Sequence, residues 1–145
     1  MRFLLLGLLI VIFSACLDEP DCVDSSSNLI KIALKKAAVD EADTIAFSKI
    51  DVSGTDSLFH VKDTVAVLSL PLNPGTNETT FNFYYDSKVE TMVVSYTWQT
   101  RLASPKCGAF TYFYDLAVVS SSFGEVSVTN SQVFKNGSTN LTVKL

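Results

Sequence analysis

The sequence predicts an all-β fold, a single antiparallel β-sandwich. Three observations carry that expectation. Apolar residues recur with a period of two over most of the chain after residue 29, as half-buried strands require. The recurring residues are Val, Thr, Phe and Tyr, which suit a pleated, half-covered surface. Short clusters of turn formers separate the runs, at Ser53-Gly54-Thr55-Asp56, Asn73-Pro74-Gly75, Phe123-Gly124 and Asn136-Gly137. Several short strands at such spacing close into a sandwich or a small barrel.

Taken in order, strands are expected at 29–34, 44–52, 57–61, 64–70, 79–86, 91–101, 108–119, 125–133 and 140–145. In 79–86, Phe81, Phe83 and Tyr85 share one face, with Thr80, Asn82 and Tyr84 on the other. In 91–101, Met92, Val94, Tyr96 and Trp98 stand opposite Val93, Ser95, Thr97 and Gln99. The Ala-rich stretch 33–42 has helix-forming composition but is read as a strand end and a short excursion. Asn136-Gly137 leads into the last strand as in a hairpin; separately, 139–145 is expected as an open strand that could complement a neighbour, as a pilin-type subunit requires. The closest general architecture for this succession is an immunoglobulin-like sandwich over 29–145.

The N-terminus has a different character. Arg2 is followed by an 11-residue apolar run from Phe3 to Phe13, then by the small residues Ser14 and Ala15 and by Cys16. That is the charged, apolar and small-residue order of an export signal, and the run falls short of the about 20 residues of a bilayer span. The segment resembles a lipobox, which implies cleavage of a lipoprotein signal peptide at 1–15 and lipidation of Cys16. Residues 16–28 then form an acidic, Ser-rich tether that cannot bury itself. The acidic cluster behind Cys16 resembles the surface-export signal of Bacteroidota lipoproteins, so the location expected is the outer membrane, on its periplasmic face or at the cell surface.

Lipidation of Cys16 leaves Cys22 and Cys107 as an even pair in an oxidising space. A disulfide between them is expected, contributing on the order of 4 kcal/mol in the chain-entropy model; two unpaired thiols are the alternative. A net charge of −4, without a basic stripe, excludes a phosphate-backbone binder and so a nucleic-acid partner. Attachment to a membrane must therefore come from the lipid.

Catalytic parts are sparse. His60 is the only histidine and reads as a strand residue, no two-His metal site can be built, and no Gly-x-Ser-x-Gly elbow occurs. Asp86 with Glu90, Asp115 and Glu125 are the carboxylates a glycosidase pair would draw on. No catalytic residue, metal or cofactor is expected. Aromatic residues are plentiful by contrast, and Tyr84, Tyr96, Trp98, Tyr112 and Tyr114 are candidates for an exposed binding surface.

The succession Leu70-Pro71-Leu72-Asn73, Thr79-Thr80-Phe81-Asn82-Phe83, Val93-Val94-Ser95-Tyr96 and Ser104-Pro105-Lys106-Cys107-Gly108 resembles a family of small uncharacterised Bacteroidota lipoproteins. The resemblance implies location and architecture without a reaction, and its late Cys-Gly corresponds to Cys107 and Gly108, in agreement with the disulfide. It also implies O-glycosylation where Asp precedes Ser or Thr and an apolar residue, at Thr44, Ser57 and Thr64. The sequons at Asn77, Asn136 and Asn140 would stay bare in such a cell. The function expected is a non-catalytic binding or structural accessory of the envelope, with an envelope protein or a glycan as partner. A fimbrial or pilin-type subunit and a carboxylate-based glycan hydrolase are the alternatives.

Overall fold

A computed structural model describes residues 29–55, 58–59, 64–104, 108–133 and 137–145. The signal, the tether, Cys16, Cys22, Cys107, Ser57 and His60 lie outside the described residues. The described chain is all-β, with strands β1 (Ile30–Lys35), β2 (Ile45–Ala46), β3 (Lys49–Val52), β4 (Leu58–Phe59), β5 (Thr64–Val65) and β6 (Val67–Leu70). They are followed by β7 (Glu78–Tyr85), β8 (Lys88–Ser104), β9 (Gly108–Ser121), β10 (Glu125–Val128) and β11 (Leu141–Lys144). Three sheets result, ordered β10-β11-β1-β6, β2-β5 and β4-β3-β7-β8-β9. Among the described residues no helix is long and apolar enough to cross a membrane.

Alternation explains how the sheets pack together. Ile30, Ile32 and Leu34 of β1, Leu68 and Leu70 of β6 and Leu141 and Val143 of β11 are buried on one face of the four-stranded sheet. They join one hydrophobic cluster with Ile50, Phe81, Phe83, Met92 and Val94 from the five-stranded sheet. Each such side chain contributes roughly 1.5–3 kcal/mol by leaving water.

Two predicted strands, 44–52 and 64–70, are each broken between sheets. In the first, Ile45 and Phe47 pack on the core at odd positions, whereas Ile50 and Val52 pack there at even ones. A continuous strand cannot present both sets to one side, so the chain bends at Phe47-Ser48 and the Ser48 amide donates to the Tyr84 carbonyl at 2.8 Å. The second strand shifts in the same way at Ala66, between Val65 and Leu68. The short pieces β2 and β5 pair with each other.

The fold also departs from a purely antiparallel sandwich, because β1 and β11 are parallel, with Ile32 beside Leu141 and Lys35 beside Lys144. Nearly the whole domain lies between these strands, so the long crossover that parallel pairing needs is available. β11 is consequently an interior strand, flanked by β10 and β1, and not the open terminal strand expected from its sequence. It does pair antiparallel with β10, but across residues 129–140 and not through a tight turn. Residues 36–42 form no helix; they return to a bridge between Lys35 and Ala42. There a Lys35 hydrogen bond and charge hold the Asp40 carboxyl below its ordinary range.

The β7–β8 hairpin turns on Asp86 and Ser87, both at positive φ (45° and 61°). Two such residues in succession match the twist of the flanking strands, and Tyr85 pairs directly with Lys88. Gly54, at φ 76°, lies where an added Cβ would fall 1.8 Å from Asn73 Nδ2, so the predicted turn needs glycine there.

Candidate functional site

The length difference between β7 and β8 creates the most distinctive surface. β7 is 8 residues long and pairs with β8 only as far as Ser95, whereas β8 runs on to Ser104 beside β9. Residues 96–104 and 108–114 therefore form an arm, bounded on the β8 side by the Tyr96 amide, which donates to the Asn77 carbonyl at 2.9 Å, and on the β9 side by Val133, which bridges Phe113.

The arm has two unlike faces. Trp98 pairs with Phe113, which is still buried in the core, and past it Thr100 with Thr111 and Leu102 with Ala109 continue that side of the sheet beyond the core cluster. Trp98 is accordingly 41% exposed and Leu102 71%. On the opposite face Thr97 pairs with Tyr114, Gln99 with Tyr112 and Arg101 with Phe110. The Arg101 guanidinium stands 5.9 Å from the Tyr112 ring centre and donates twice to Gln99 Oε1. At the base of the arm Asp115 takes a positive φ of 55° and accepts a 2.8 Å bond from the Thr97 hydroxyl. This irregularity resets alternation between Phe113 and Leu116, both buried.

The five aromatic residues expected to make one binding surface do not do so. Tyr96 is buried at 3% exposure, its ring edge-on to Phe113 at 5.2 Å. Its hydroxyl donates to the Asn73 carbonyl at 2.8 Å and is hydrogen-bonded with Thr79 Oγ1, so it is a core residue. Tyr84 lies at the far end of the sheet beside Val89, whereas Tyr112 lies beside Gln99. The ten residue steps along β8 from Val89 to Gln99 span roughly 33 Å. Lys49 sits over the Tyr84 ring at 5.0 Å. Its bond to Asp51 and their opposite charges raise the Lys49 pKa against the opposing effect of burial. Trp98, Tyr112 and Tyr114 remain on the arm, with Trp98 on one face and the two tyrosines on the other.

Two predicted glycosylation positions come close together. Thr44 and Thr64 are both exposed, while Ile45 and Val65 of the β2–β5 pair turn toward the core. Ala46 pairs with Thr64, so Thr44 is its diagonal neighbour on the same outer face, about 7–8 Å away. The Asp43 carboxylate accepts the Thr44 amide at 2.9 Å, the local bond by which Asp opens a strand.

A cleft of about 620 Å³ opens beside the β7–β8 turn and reaches Asp43 and Ile45, next to Thr44. Tyr85, Glu90, Ser122, Phe123, Glu125 and Lys144 are among its lining residues. Ser122 donates to Glu90, and Lys144 pairs with Glu125 at 2.8 Å. Burial, followed by the charges of Glu90 and Asp86, pushes the Tyr85 hydroxyl pKa up. The cleft joins two of the carboxylates singled out in the sequence, Glu90 and Glu125, while Asp86 and Asp115 are not among its lining residues. Periodicity carries no signal for that convergence, which depends on how two sheet ends meet. Among the described residues no group of three or more His, Cys, Asp or Glu is placed to hold a metal ion.

No curated protein matches the chain. No solved structure matches it. A family profile does match, over residues 44–145, from β2 through β11 and therefore across the arm, Thr44 and Thr64, and the cleft apart from Ala37 and Asp43. The chain belongs to the family of unknown function DUF6452.

Proposed function

We propose that the protein is a non-catalytic binding or structural accessory of the cell envelope, held at the outer membrane by lipid on Cys16. Its fold is read as an immunoglobulin-like β-sandwich, supported by two larger sheets that share one core cluster. The observation that carries the binding role is the arm, which extends aromatic and apolar groups beyond the end of the β7–β8 pairing at Ser95. Side chains that neither complete the core nor sit in a turn are where a binding surface is sought. The partner class is an envelope protein or a glycan. A pull-down from native outer membranes should recover a partner with the wild-type chain and lose most of it with Tyr112→Ala/Tyr114→Ala. Equal recovery by both chains would remove the arm from the proposal.

The anchor and the modifications have their own readout. Cys16→Ser should move the protein from the membrane to the soluble fraction; continued partition into detergent would overturn the lipid assignment. Mass spectrometry of native, unreduced protein should also show Cys22 linked to Cys107 and added sugar at Thr44, Ser57 or Thr64. An outer-membrane lipoprotein of Bacteroidota type underlies that expectation, and the exposure of Thr44 and Thr64 supports it.

The pilin-type alternative loses its donor strand, since β11 is already paired on both edges. The hydrolase alternative is favoured only by Glu90 and Glu125 in one cleft, and loss of glycan turnover on Glu90→Gln would be its signature.

A further inference from the structure

We infer that the protein self-associates through the edge of β8 that no described strand covers, as a two-fold antiparallel strand pairing centred on Thr100. This goes beyond the envelope-accessory reading and depends neither on the lipid nor on the tyrosine face of the arm.

The direction of the backbone groups comes first. Val133 donates its amide to the Phe113 carbonyl at 3.0 Å, so the Phe113 backbone groups point away from β8. Phe113 and Trp98 are therefore a non-hydrogen-bonded pair, and the Trp98 groups in turn point away from β9. The Tyr96 amide, two residues earlier, points the same way, to Asn77. Trp98, Thr100 and Leu102 thus direct N–H and C=O groups toward a side on which no strand pairs with β8 among the described residues.

This edge also lacks the usual guards. Residues 97–102 contain no proline and no acidic group, and Arg101 is the only charge. An extended edge flanked by exposed apolar side chains invites another strand.

The occupant that fits is the same edge. A two-fold axis at Thr100 sets Trp98 of one copy opposite Leu102 of the other, covering side chains that are 41% and 71% exposed. It places Gln99 opposite Arg101, repeating across the interface the contact these residues make within one chain. The two arginines then lie diagonally, and not directly, across from each other. About six backbone hydrogen bonds would form, and Asn77, already on Tyr96, ends the ladder. Such a contact falls below the roughly 1,000 Å² of a tight interface, so the dimer is weak and concentration-dependent.

Sedimentation velocity on the mature chain, residues 16–145, carrying Cys16→Ser, which keeps both the lipid and the apolar leader out of the readout, should show a monomer–dimer equilibrium from about 1 to roughly 500 µM. Thr100→Pro removes the central outward amide while leaving the β8–β9 bonds, and Leu102→Lys adds a charge at an exposed position. Each should raise the dissociation constant at least tenfold with unchanged circular dichroism. Hydrogen exchange should show Trp98, Thr100 and Leu102 protected only at high concentration, with Thr97, Gln99 and Arg101 protected throughout. A monomer at every concentration overturns the inference, as does a dimer indifferent to both variants. Protection of the Thr100 amide in the dilute monomer overturns it too, because the chain itself would then cover the edge.

Discussion

Phe83→Ala should cost about 4 kcal/mol, a large part of the 5–15 kcal/mol that holds a domain of this size. Phe83 is 1% exposed and lies where several parts of the chain converge. Its ring meets Phe123 edge-on at 5.3 Å, Phe47 at 5.7 Å and Phe81 at 6.1 Å. Phe47 marks the bend between β2 and β3, and Phe123 follows β9, so the aromatic cluster joins two sheet switches to the centre of β7. Truncation leaves a cavity that three rings on separate backbone segments cannot all collapse into. Chemical denaturation should show a lower midpoint with unchanged slope, and heating a drop in Tm of roughly 15 °C. Tyr84→Ala, one residue away on the outer face, should cost less than half as much. Equal losses at the two positions would contradict the placement of the core.

Where one period governs a stretch, the sequence was readable. Phe81, Phe83, Met92 and Val94 all face the core as alternation predicts. The breaks at Phe47-Ser48 and Ala66 are legible in principle, since the apolar positions change from odd to even there, which a single strand over 44–52 or 64–70 cannot accommodate. The burial of Tyr96 is a different matter. Spacing puts Tyr96 and Trp98 on one face, but nothing in it tells how far along β8 the opposing sheet reaches, and the boundary falls between them, at 3% and 41% exposure. The β1–β11 pairing is also invisible to local pattern, because its partners lie more than a hundred residues apart. Of the arm, the two strands are legible in the alternation of 91–101 and 108–119, whereas its freedom from β7 depends on where β7 starts.

Asn140 shows most clearly what that hidden pairing requires, and its replacement should be nearly as damaging as that of Phe83. In the sequence it appears only as the Asn of Asn140-Leu141-Thr142, yet it is 2% exposed and so unavailable as an acceptor of sugar in the folded chain. Its amide donates to the Lys31 carbonyl at 2.8 Å and its Oδ1 accepts the Lys31 amide at 3.0 Å, so the side chain completes a two-way pairing at the start of the parallel ladder. Its Nδ2 donates to the carbonyls of Asn130 at 3.2 Å and Gln132 at 2.8 Å, fastening the connection between β10 and β11. Asn140→Ala strands one donor and two acceptors at once, for a loss of about 3 kcal/mol. Asn140→Asp keeps the shape and the bond from Lys31 but aims a carboxylate at two carbonyls. That environment raises the folded pKa of the new acid above its unfolded value of about 3.9. The added penalty is therefore absent well below pH ~4 and grows as pH rises through that window. Denaturation at pH 3 and pH 7 should find the Ala variant's deficit nearly constant and the Asp variant's much larger at pH 7. A pH-independent deficit for the Asp variant would mean that Asn140 does not face the two carbonyls.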